Sequence, residues 1–134
     1  MYKSILLAAD GSENSYRAAQ QILNIAESEA HVTVLNVVEI DESKTVILHG
    51  ANSNQQQKEK LSQITQFLEE NHIKHKIEIK HGEPAQTVIN EANRHQHEII
   101  VLGTRGLNNF QEMMMGSVSH KVAKRSKIPV LIVK

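Results

Sequence analysis

Glu98 to Ser117, EIIVLGTRGLNNFQEMMMGS, constrains the fold of this chain more than any other stretch. It opens with Ile99-Ile100-Val101-Leu102, a short aliphatic run of the kind buried in a parallel sheet. Gly103 ends the run and Gly106 follows. A long loop then reaches Gly116-Ser117, after which Val118, Val122 and Ala123 keep helical spacing. The order is strand, glycine-bearing loop, helix start. Glycines let a backbone come close to a ligand, and the unpaired N–H groups and dipole of a helix start favour an anion. The chemistry points to a phosphate site, with Ser117 as both N-cap and hydroxyl donor.

Spacing excludes two other nucleotide motifs. A P-loop ends in Gly-Lys-Ser/Thr, whereas Gly116 runs directly into Ser117. A dinucleotide fingerprint holds three glycines within six residues, and here the third lies ten positions past the second. The pattern G-x2-G-x9-G-S, in Gly103, Gly106, Gly116 and Ser117, instead resembles the ATP-binding signature of the universal stress protein family. The likeness runs the length of the chain. Ala8-Ala9-Asp10-Gly11-Ser12 is similar to the end of the family's first strand, and His81-Gly82-Glu83-Pro84-Ala85 to the start of its third helix. Ile128 to Val133 is similar to its closing strand.

Composition narrows the function classes. A chain of 134 residues is expected to form one domain, 1–134, with a single core. Fifteen basic and fifteen acidic side chains cancel, so no basic field argues for nucleic acid or a membrane surface. Without cysteine there is no disulfide framework and no thiol chemistry. The first apolar run is too short for a signal peptide or a membrane span, and a cytoplasmic setting is the expectation. With two Tyr, two Phe and no Trp, an adenine pocket is expected to have aliphatic walls.

Taken in order, Ile5 to Ala9 reads as a buried strand, followed by Asp10 or Ser12 as a helix cap. The inward stripe of that helix is Ala18, Ala19, Ile22, Leu23 and Ala26, and Val32 to Val38 is a second strand. From Glu39 to Gln57 the composition turns polar, with a short apolar insert Val46-Ile47-Leu48, and this stretch is the least predictable. A helix is expected from about Gln56 to Glu70, on Leu61, Ile64, Phe67 and Leu68. Ile73 to Lys80 alternates like an edge strand with one wet face. Pro84 suits a helix start, with Ala85, Val88, Ile89 and Ala92 facing inward. The last helix places Lys121, Lys124, Arg125 and Lys127 towards its C-terminus, and Pro129 opens the last strand.

This alternation predicts an α/β fold: a five-stranded parallel sheet with helices on both faces. The resemblance implies strand order 3-2-1-4-5, the adenine nucleotide α-hydrolase-like arrangement, whose switch point falls between strands one and four. Ligands in open α/β sheets bind there, outside the carboxyl ends of the strands, so Asp10 and Gly103 are expected to meet at one crevice. The resemblance further implicates Ala8 and Val37 as contacts to the base, and Leu102, Val118 and Ser119 as flanks of the phosphate site. Asp10 is either an acceptor for the adenine or ribose side or a helix cap. Arg105 either supplies charge near the phosphates or is a solvated loop residue.

Other chemistries find little support. The eight histidines lack a His-Glu-x-x-His spacing and are expected at the surface; His72, His75 and the pair His95 and His97 were the candidates. Met113-Met114-Met115 reads as packing beneath the loop. No Gly-x-Ser-x-Gly elbow appears. The resemblance therefore implies a protein that binds ATP, with Mg2+, as a regulatory switch or sensor in a stress response, with little or no turnover. It is expected to form a homodimer through Ile128 to Val133 and to signal through a protein partner, with no metal held by its own side chains. The alternatives are a slow ATP-hydrolysing or nucleotide-transferring enzyme, and a dimerisation module with a degenerate site.

Overall fold

The computed structural model describes residues 1–39, 50–94, 96–104 and 116–134, with side chains described from 55 in the second stretch. In chain order the elements are β1 (Tyr2–Ala8), α1 (Glu13–Ile25), β2 (Ala26–Val38), α2 (Gly50–Lys60) and α3 (Ser62–Glu70). They continue with β3 (Lys74–His81), α4 (Pro84–Arg94), β4 (Ile99–Gly103), α5 (Ser117–Arg125) and β5 (Val130–Val133). The strands form one all-parallel sheet ordered β3-β2-β1-β4-β5.

The central strands are aliphatic at successive positions because both their faces are covered. Ile5 and Leu7 of β1 lie in one cluster with Val32, Val34, Ile99 and Val101, under Ala18, Ala19 and Ile22 of α1 and Ile64 and Leu68 of α3. Leu6, between them, points the other way and joins Leu35, Ile100 and Leu102 under Val88, Ile89 and Ala92 of α4 and Val122 of α5. Truncating a fully buried side chain such as Leu6 to Ala costs about 2–5 kcal/mol. Edge strands β3 and β5 contain no fully buried residue, which fits their alternating or short sequences.

Several boundaries differ from the sequence reading. The single helix expected over 56–70 is two helices, broken at Leu61. The Leu61 amide bonds both Gln57 O (3.2 Å) and Lys58 O (3.1 Å), a tightened last turn, while its side chain is wholly buried. Strand β2 begins at Ala26, far ahead of Val32, because α1 ends on an extended Ala26 (φ −86, ψ 139) with no intervening loop. Ala26 is thus not part of the helix stripe, and Leu23 is 45% exposed. Pro129 lies just outside β5, yet its carbonyl accepts Ile100 N at 3.0 Å. Val46-Ile47-Leu48 lies outside the described residues.

Candidate functional site

β1 and β4 run side by side, with Ala8 in register with Leu102, and the sheet reverses direction of growth between them. The segments leaving both strands therefore open into one crevice. On the β1 side, Gly11 adopts φ +83, and a Cβ there would meet Lys60 Cβ and O at 3.0 Å. Ser12 caps α1, its hydroxyl accepting Ser15 N at 3.2 Å. Asp10 remains exposed and, among the described residues, spends only one carboxylate oxygen, Oδ1, on Ser12 N (2.9 Å). Ser12 is thus the cap, and Asp10 keeps acceptor capacity at the crevice.

On the β4 side, Thr104 O accepts the Gly116 amide and, at 3.0 Å, the Ser119 hydroxyl. The N-cap of α5 is Gly116, and among the described residues no side chain caps the helix. Ser117 is the first helical residue, so its expected role as cap is corrected: the break in helical dihedrals falls one residue earlier. The first α5 bond runs from His120 N to Gly116 O (3.0 Å), which leaves the amides of Ser117, Val118 and Ser119 as the orphan donors of that terminus. The buried Ser119 hydroxyl is directed at carbonyls, Gly116 O at 2.9 Å as well as Thr104 O, so only its backbone can serve a ligand.

The apolar candidates also converge. Ala8, Val37 and Val118 are all half-buried and pack against the same cluster, while Leu102 is a core member. Arg105, Gly106 and Met113 to Met115 lie outside the described residues. Three residues escaped the sequence reading. Asn36 is 3% exposed and donates Nδ2 to Ala9 O at 2.9 Å, which fixes the peptide ahead of Asp10. Its Oδ1 is buried, with no hydrogen-bond partner among the described residues. A lone amide within the run Val32 to Val38 was the available signal. Asn14 and Thr104, joined at 3.0 Å, carried none.

His75 and His97 lie away from the crevice, near the other end of the sheet. His97 is buried, with Nδ1 3.3 Å from Ser4 Oγ at the opposite end of the sheet, against the expectation of a surface position. His75 Nδ1 meets Ile73 O at 3.0 Å. His95 lies outside the described residues. Among the described residues no group of three His, Asp or Glu could hold a metal ion. No helix among them is long and apolar enough to cross a membrane.

Fold and crevice together define the class: an open, doubly wound parallel α/β protein with a crevice at the switch point. The model of the universal stress protein family matches residues 1–134, and the chain belongs to that family. It is 34% identical to the universal stress protein YxiE of Bacillus subtilis, over 100% of both chains. The solved structure of hypothetical protein MJ0577 of Methanocaldococcus jannaschii superposes with a TM-score of 0.87 at 31% identity, covering 100% of this chain and 96% of that one. A universal stress protein solved in complex with cAMP gives 0.76 at 22% identity, over 99% and 97% of the two chains.

Proposed function

We propose that this chain is a one-domain, ATP-binding regulatory protein that holds its nucleotide in the β1/β4 crevice as a signal. The observation that carries the reading is the pairing of the orphan amides of Ser117, Val118 and Ser119 with the exposed carboxylate of Asp10 across the switch point. Amides and dipole at the head of α5 suit phosphate. Asp10 suits the hydroxyl or amino hydrogens of the ribose or adenine side. Ala8, Val37 and Val118 give the base aliphatic walls. Gly103 and, from the sequence motif, Arg105 and Gly106 complete the phosphate side. Mg2+ would arrive on the phosphates and neutralise part of their charge. The cAMP complex of a family member agrees in ligand class, but at 22% identity it speaks to fold.

Substitution of Gly116 by Val tests the reading. Gly116 sits at φ −58, ψ 151, which any residue adopts, so the variant adds bulk without backbone strain. Calorimetry is expected to show ATP affinity reduced about ten-fold or more, a loss of ~1.4 kcal/mol. Unchanged affinity would remove the phosphate assignment. The ATP is expected to be recovered intact. Phosphate release at about one per second, within the range of kinases, and lost together with binding in Ser117→Ala, would favour the enzyme alternative.

A further inference from the structure

Among the described residues, four hydrogen bonds from three elements meet on Thr104. Its amide donates to Val133 O of β5 (3.0 Å), and its hydroxyl accepts Asn14 Nδ2 of α1 (3.0 Å). Its carbonyl accepts the Gly116 amide and the Ser119 hydroxyl at the head of α5. The Asn14 amide is held at its other end as well, because Oδ1 accepts Arg17 Nη2. Arg17 in turn donates Nε to Lys134 O, at 3.0 Å, one residue beyond Val133. The bonds close a circuit: Thr104, the end of β5, Arg17, Asn14 and Thr104 again.

We propose that this circuit couples the closing strand to the head of α5, with Arg17 and Asn14 as positioning residues that touch no ligand. An amide held at both Oδ1 and Nδ2 has one rotamer, and a charged donor on the oxygen polarises it and strengthens the Nδ2 donor. The Thr104 amide and hydroxyl, both engaged, anchor the residue on either side of its Cα, and so limit the swing of its carbonyl, which holds Gly116 and Ser119. A shift at the end of β5 reaches the orphan amides of α5 through Arg17. In its ligand arm the proposal rests on the nucleotide reading above; in its structural arm it does not.

Amide hydrogen exchange decides it. Among the described residues the polar partners of Arg17 are Asn14, Lys134 and Glu13, and its side chain is 43% exposed, so Arg17→Ala should fold. Exchange of the Gly116 amide is expected to rise about ten-fold in Arg17→Ala and in Asn14→Ala, the size of one ordinary hydrogen bond. The core amides of Leu6 and Val34 should stay unchanged. Glu13→Ala, which removes only the 3.7 Å ion pair of Arg17, should leave Gly116 as in the parent. In the ligand arm, ATP affinity of Arg17→Ala should fall three- to ten-fold, and ATP should slow exchange at Thr104 in the parent. Unchanged Gly116 exchange in Arg17→Ala overturns the circuit whether or not ATP binds. Failure of ATP to bind the parent overturns the nucleotide reading and leaves the exchange result to judge the circuit.

Discussion

Gly103 is pressed against Asn14: a Cβ added to Gly103 would stand 2.8 Å from Asn14 Cβ and 2.9 Å from the Asn14 carbonyl carbon and oxygen. The first glycine of the motif is therefore required by the first turn of α1, independently of any ligand. Because backbone atoms form part of the obstacle, Gly103→Ala is expected to destabilise the fold by about 1–3 kcal/mol, the cost of overpacking. Urea unfolding measures it, and an unchanged midpoint would mean that α1 can yield.

Ser12 and Asp10 share a turn but should separate by experiment. Ser12→Ala removes the cap on Ser15 N and is expected to cost about 1 kcal/mol in thermal unfolding, with ATP affinity nearly unchanged. Asp10→Ala is expected to lower ATP affinity about ten-fold, as loss of a charged acceptor would. If both variants lose stability and neither loses affinity, Asp10 is only part of the turn.

Glu98 ties the start of β1 to the lead-in of β4 by accepting Ser4 N (3.0 Å) and Lys3 N (2.6 Å). These two bonds, the Ser4 one first, hold its carboxyl below the ordinary value of 4.5. A carboxylate with a lowered folded pKa contributes stability that is complete above the unfolded pKa and is lost as pH falls through the folded one. Glu98→Gln should therefore be less stable than the parent at pH 7. The two stabilities should converge as pH drops below about 4.5. A gap constant down to pH 3 would refute the linkage.

His72 closes α3 in the left-handed region, at φ 58, with Ile73 N on Leu68 O (2.9 Å). That pairing is a Schellman closure, where glycine suffers no Cβ penalty. His72→Gly is expected to raise stability by about 1 kcal/mol, read as a higher melting temperature. A lower one would point to an undetected contact of the imidazole.

β5 lies at the sheet edge with all four residues half-buried. An apolar edge invites pairing, and a second copy could cover it about a two-fold axis. Sedimentation at about tens of micromolar, suited to a moderate interface, is expected to show a dimer. A monomer there would remove the proposed assembly.

The frame was legible because each central strand is a compact aliphatic run and each crossover carries a helical stripe. Leu6 between Ile5 and Leu7 already announces a strand covered on both faces. Strand order came from the family likeness, since periodicity does not rank strands. Helix ends were less legible. The break at Leu61, where one amide serves both Gln57 O and Lys58 O, interrupts a good helical pattern that holds no glycine or proline to announce it. Ser117 looked like a cap by residue type, but the dihedrals place Gly116 there. At the site, Asp10 and the glycines stand out in sequence, whereas Asn14 and Thr104 act through a contact between residues ninety apart. Local pattern does not encode such a contact.

The bond from Gly116 N to Thr104 O ties together the two residues that flank the long spacer of the glycine motif. Closure entropy grows only slowly with length once such ends are fixed. Insertions or deletions between Thr104 and Gly116 should then be nearly neutral for the stability of the sheet. Length variation between those two tied ends would leave the supporting architecture untouched.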